Sequence, residues 1–226
     1  MLNSCVKKLD ALSILEKSFI AHGGKKSWSE VSNVAYFKNI KLYDSIGNLE
    51  EEITQKIKHT WNPSSTKIEW DKFGDYYVAQ LEKEKVTLYK NHQEVLETKQ
   101  LAEAYVNTKG ALYVFWQPSK LLDSQAQLEY IGEATLLDSI PLHALKVTYP
   151  SNPSGDIWHY YFNKKSFRLD ATQVNHAGRI SLIINESVET KTGLFLNKIR
   201  KSYFVDSIGK IKYLRAAYDY KITSFN

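Results

Sequence analysis

A metal centre needs several His, Cys or carboxylate ligands at short spacing, and the six histidines of this chain do not supply one. His22, His59, His92, His143, His159 and His176 form no HxH, HxxxH or HExxH pair, and Cys5 stands alone, without a partner for a disulfide or a thiolate cluster. Nucleophilic catalysis needs an activated Ser, Cys or Thr beside a base, and no GxSxG turn is present. Neither GxGxxG nor GxxxxGK occurs, so no phosphate loop is expected, and Gly23-Gly24 reads as a helix stop. Glu50-Glu51-Glu52 is the one acidic cluster, and a solvated strand start explains it. These residues give no catalytic constellation, no metal site and no cofactor. A non-enzymatic protein is expected.

The positive signal is apolar. In ALYVFWQPSKLL, residues 111–122, an unbroken run from Leu112 to Trp116 is halted by Gln117-Pro118 and resumes at Leu121-Leu122. A helix with one buried face would show a 3.6-residue alternation. This segment is apolar all round and must be covered on more than one side. It is either packing for a core or the wall of a cavity. The candidate cavity residues are Leu112, Val114, Phe115, Trp116, Leu121 and Leu122, with Trp61, Trp158 and Tyr160 from strand faces.

The elements around it must hold it in place. Residues 6–22 read as an amphipathic helix, with Val6, Leu9, Leu12, Leu15, Phe19 and Ile20 on one stripe. From residue 31 the period changes to two, as in Val34, Tyr36, Ile40 and Leu42. Turn signals recur at Asp44-Ser45-Ile46-Gly47-Asn48, Asn175-His176-Ala177-Gly178-Arg179 and Asp206-Ser207-Ile208-Gly209-Lys210, with Pro141 replacing Gly in a cousin at 138–141. Residues 98–122 read as a covering helix, with Leu101, Ala104, Tyr105 and Leu112 on one face and a bend or break expected at Gly110. The expected fold is mainly antiparallel β, an α+β arrangement. It is one domain over residues 1–226, a strongly curved sheet of about eleven strands with helices on its concave face.

Composition narrows the partners. The 43% hydrophobic content, with 15 Tyr, 9 Phe and 5 Trp, is that of a folded β-rich domain. The net charge of +5 is local: residues 190–226 carry eight Lys/Arg against Asp206 and Asp219, a balance of +6 that leaves −1 elsewhere. Most of these cations alternate with apolar residues as a solvated sheet face would. No helix-turn-helix, zinc-finger or RNP-like pattern is present, so nucleic acid is not expected.

Four segments, AHGGKKSW (21–28), FWQPSKLLD (115–123), LEYIGEATLLDSIPLHALKVTY (128–149) and WHYYFNKKSFRL (158–169), resemble the LolA/LolB-like proteins of Gram-negative envelopes, in particular a poorly characterised branch. The resemblance runs from about residue 14 to residue 220 and implies an incomplete β-barrel whose concave side is plugged by helices over a cavity for acyl chains. It implies an exported protein, periplasmic or lipid-anchored, with residues 98–122 as a lid. Leu2-Asn3-Ser4-Cys5 resembles a lipobox lacking its charged and apolar lead. Alone those four residues favour an ordinary thiol, and the resemblance favours the remnant of a lipoprotein signal with Cys5 as attachment point. The expected function is binding or transport of a lipid or lipoprotein acyl chain, with a lipid, an envelope lipoprotein or a membrane surface as partner. The alternative is an envelope interaction module working through its outer face and basic C-terminal hairpin.

Overall fold

The computed structural model describes residues 9–123, 125–136, 140–150 and 155–226. Cys5 and the rest of residues 1–8 lie outside the described residues, as do the first half of the turn expected at 138–141 and most of the loop at 150–155. The chain opens with helices α1 (Ala11–Ala21) and α2 (Lys25–Ser29). Strands β1 (Asn33–Tyr43), β2 (Leu49–Trp61), β3 (Ser64–Lys72), β4 (Asp75–Glu82), β5 (Lys85–Lys90) and β6 (Gln93–Glu94) follow. Helix α3 (Thr98–Phe115) and a 3-10 helix (Ser119–Leu122) then lead into β7 (Gln127–Leu136), β8 (Ile140–Thr148) and β9 (Ile157–Asn163). The last four strands are β10 (Leu169–His176), β11 (Arg179–Val188), β12 (Asn197–Val205) and β13 (Ile211–Phe225).

Among the described residues thirteen strands form one sheet, ordered 6-5-4-3-2-1-13-12-11-10-9-8-7 and antiparallel throughout. Two meanders meet where β1 pairs with β13, and β6 and β7 remain as edges. The sheet is an incomplete, unclosed barrel. Strand 6 must nonetheless connect to strand 7 at the opposite edge, and α3 with the 3-10 helix makes that crossing. This is why the greasy segment is covered on several sides.

Turn chemistry sets the register. The Asp44 carboxylate accepts from the backbone N–H groups of Ile46 and Asn48 at 3.0 and 2.8 Å, and Asp206 repeats this with Ile208 and Lys210 at 3.0 and 2.9 Å. The β10–β11 hairpin is tighter: His176 pairs with Arg179 across Ala177-Gly178, both at positive φ, as a primed two-residue turn requires. The triple glutamate is paired rather than merely solvated, with Glu50 on Arg215, Glu51 on Lys72 and Glu52 on Lys41.

The helix faces differ from expectation. Asp10 caps α1, accepting from Ser13 N–H at 2.7 Å, and Ala11, Ile14, Leu15, Ser18 and Phe19 form the buried stripe. Leu12 and Ile20 face out, 63% and 76% exposed. In α3 the buried stripe is Ala104, Thr108, Ala111 and Phe115, one turn apart or nearly so, and the helix continues without a break through Gly110. The main core joins both helices to the concave face: Ile14, Phe19, Tyr36, Ile57, Phe115 and Tyr160 all belong to it.

A second junction was not apparent from the residues. His22, at the end of α1, points one ring nitrogen, Nδ1, at the Phe195 carbonyl (3.2 Å), and the other, Nε2, accepts from the Leu169 N–H (3.2 Å). The Trp28 indole donates to the His22 carbonyl at 2.7 Å and meets Trp116 edge-on at 4.7 Å. The end of α1 and helix α2 are thereby tied to β10, to the loop before β12 and to the end of the covering segment.

Candidate functional site

The crossing of α3 over the sheet leaves a cleft of about 760 Å³. Its apolar lining is Leu81, Leu112, Tyr113, Val114, Tyr149 and Trp158. His59 and Thr66 form part of its floor, and Lys83, Glu84, Lys109, Lys120, Asp123 and Asp156 bring charge to it. A volume of this size falls within the roughly 300–1,000 Å³ of small-molecule sites.

The nine residues expected at the cavity fall into three groups. Leu112, Val114 and Trp158 line the cleft. Phe115, Trp116, Leu121 and Tyr160 are core residues, at most 3% exposed, and Trp61 packs against them, its ring 4.4 Å from that of Trp116. Leu122 is half exposed and faces out. The division follows from geometry: the chain passes from α3 into a 3-10 helix after Pro118, and one helical spacing cannot describe both parts. Tyr113, Tyr149 and Leu81 were missed, although Tyr113 sits inside the apolar run.

A buried hydroxyl chain seats α3 on the sheet. Tyr149 donates to Tyr113 at 3.1 Å, the Tyr113 and Tyr160 hydroxyls lie 2.5 Å apart, and the Gln117 amide donates to Tyr160 at 3.0 Å. Burial pushes Tyr113 and Tyr160 far above the ordinary phenol range, so these groups hold hydrogen bonds and do not act as bases. On the other flank, Glu84 accepts from Lys109 at 2.6 Å and also from Tyr105. Val114 cannot give its carbonyl to an N–H four residues on, because Pro118 has none. Arg200 supplies the donor instead, at 3.0 Å, with its Nε on Asn185 at 2.9 Å. A cation at a helix C-terminus also opposes the helix dipole. Arg200 is 3% exposed. It is therefore no part of a solvated basic face.

His59 is the histidine of the cleft. Its Nδ1 lies 2.7 Å from the Thr66 hydroxyl, and its ring stands edge-on to Trp61. Burial first, then the charge of Lys120, lowers its pKa to about 4, so it is neutral near pH 7 and spoken for by Thr66. Among the described residues no group of three His, Cys, Asp or Glu side chains is placed to hold a metal ion. No helix among them is long and apolar enough to cross a membrane. The arrangement can bury hydrocarbon and offer hydroxyl groups and charges at its margins.

Comparison with known proteins agrees with this architecture. Residues 1–199 match a family described as "Family of unknown function (DUF6503)". No curated protein matches the chain in sequence. The chain resembles the crystal structure of a LolA superfamily protein from Nitrosomonas europaea with TM-score 0.58 and 10% identity, over 96% of this chain and 93% of that one. A DUF1329 family protein from Desulfovibrio piger matches with TM-score 0.52 and 8% identity, over 96% and 92%. The fold is LolA-like.

Proposed function

This chain belongs to the DUF6503 family, a family of unknown function, and on that premise we propose that it binds the acyl chain of a lipid or lipoprotein, without catalysis, in the bacterial cell envelope. The observation that carries the reading is the cleft itself: Leu112, Val114 and Trp158 line it and are only partly buried, inside a fold that buries comparable residues elsewhere. An acyl chain that buries about ten methylenes there would gain roughly 8 kcal/mol before the costs of association and ordering. The segment of α3 and the 3-10 helix acts as the lid. The interaction-module reading is less well supported, because Arg200 is buried, Arg215 bonds Glu50 and Lys201 bonds Glu186 at 2.8 Å.

The test uses an environment-sensitive fluorescent fatty acid. Trp158, which lines the cleft, is the intrinsic reporter, whereas Trp116 is sealed in the core. Leu112→Asp and Val114→Asp put a charge in the path of the hydrocarbon and should weaken uptake at least about ten-fold while the fold is retained. Leu121→Asp is unsuitable, since Leu121 is 2% exposed and its charge would unfold the core. Folded Leu112→Asp and Val114→Asp variants that take up the probe as well as the parent protein would sink the reading.

A further inference from the structure

Beside the cleft wall, the concave floor holds two cations, Lys38 and Arg200, and no carboxylate paired with either among the described residues. Lys38 shares its strand face with Tyr36 and Ile40 and pairs in register with Gln55 on one side and Tyr220 on the other. Its ammonium lies 5.2 Å from the ring centre of Tyr218 and 5.9 Å from that of Tyr220. Arg200, from β12, pairs in register with Tyr218, and its own hydrogen bonds go to Asn185 and to the Val114 carbonyl. The Tyr36 hydroxyl is buried on the same floor with no hydrogen-bond partner, its ring 6.0 Å from that of Tyr220. The charged and titratable groups around Lys38 are thus Arg200, Tyr36, Tyr218 and Tyr220, and among the described residues no carboxylate forms an ion pair with it. Arg200 gives its hydrogen bonds to neutral acceptors only, so two positive charges and the unsatisfied Tyr36 hydroxyl share this face with no anion to offset them.

We propose that Lys38 and Arg200 form a second site on the concave floor that receives the acidic head group, carboxylate or phosphate, of an amphiphile. The apolar part of that ligand lies along the neighbouring floor. Arg200, Tyr218, Ile40 and Ile53 follow one another across β12, β13, β1 and β2, and both isoleucines are partly open to solvent. Burial, reinforced by the Arg200 charge, pulls the Lys38 amine down to about 8, as expected of a cation held without a counter-ion. Cation–π contact with two tyrosines holds the ammonium in place but supplies no formal negative charge. Val114 links the two sites, since it lines the cleft and gives its carbonyl to Arg200. The inference rests on the acyl-chain reading for the hydrocarbon but adds a head-group preference which that reading does not require.

Three C12 probes separate the possibilities: laurate, dodecyl phosphate and the neutral 1-dodecanol, titrated calorimetrically into the full chain. The parent protein should bind one or both acids at least about ten-fold more tightly than the alcohol, and the better of the two acids identifies the head-group chemistry. Lys38→Met should erase that preference while leaving dodecanol binding unchanged, and Lys38→Arg should keep it. Lys38→Gln serves if the Met variant does not fold, as judged by circular dichroism and melting. Equal affinity for acids and alcohol in the parent, or an intact preference in folded Lys38→Met or Lys38→Gln, overturns the proposal while acyl binding in the cleft stands. If none of the three probes binds, both readings fall.

Discussion

Gly23→Ala is expected to lower the melting temperature by roughly 6–12 °C, the equivalent of about 3 kcal/mol in a chain of this size. Two terms act together. Gly23 has φ +92°, a backbone setting that an L-residue adopts only under strain. A Cβ there would also stand 2.2 Å from the Gly193 carbonyl oxygen and 3.3 Å from the Leu194 Cα, both backbone atoms that cannot rotate away. Gly24 is the internal control. Its φ is +85°, yet its Cβ would meet nothing within 4 Å, so Gly24→Ala should cost only the conformational term, roughly 1–2 kcal/mol. Parallel urea or thermal melts of the two variants decide it. Equal losses would mean that the close approach of α1 to the loop before β12 is not what constrains Gly23.

The second large effect is a loss of stability in mild acid. Burial lowers His22 to about 4 from its ordinary 6.5, and His59 likewise falls to about 4. Each group binds a proton more readily in the unfolded chain than in the folded one. Its contribution is therefore fully present above pH 6.5 and is lost as pH falls from 6.5 through 4. A displacement of 2.5 pH units corresponds to roughly 3 kcal/mol for each histidine. Protonation of His22 also removes the acceptor for the Leu169 N–H, so the physical event is the undocking of α1 from β10. His22→Ala should cost about 2–4 kcal/mol at pH 7.5 and remove about half of the pH slope between pH 6.5 and 4.5, the rest belonging to His59. Urea melts at several pH values measure both, and a variant with the parent's full pH slope would show that His22 is not the group that titrates.

The two effects meet at one place, and it shows what the residues did and did not disclose. Gly23-Gly24 was legible as a helix stop, because positive φ is a local property. The approach of Gly193 was not, since 170 residues separate the partners. Local turn chemistry was equally legible: Asp44 and Asp206 each cap their own hairpin as their spacing implies. Strand alternation placed Val34, Tyr36 and Ile57 in the core, and the sheet differs from the expected one mainly by its greater number of strands, one of them the two-residue β6. Helix faces were harder. Leu12 and Ile20 fit a stripe by hydrophobicity, but the small residues Ala11 and Ser18 let α1 approach more closely on a different face.

For the candidate site, the apolar run was legible as the organising segment, and its internal division was not. Val114 and Trp116 are two residues apart, yet one lines the cleft and the other is sealed against Trp28 and Trp61. Arg200 was grouped with the solvated cations of the C-terminal hairpin, because the missing N–H of Pro118 that it answers lies on another element. Lys38 did leave a signal. It falls in phase with Tyr36 and Ile40, a charge where the alternation calls for an apolar side chain.

The measurement that bears most directly on the acyl-chain reading is mass spectrometry of an organic extract of the gently purified protein, beside an extract of a control protein of similar size. Near-stoichiometric lipid, reduced in Leu112→Asp and in Val114→Asp, is the expected result, and the spectrum would identify the chain that the cleft holds. An extract matching the control, from a protein that also fails to take up added fluorescent fatty acid, would contradict the account and leave the cleft without an acyl ligand.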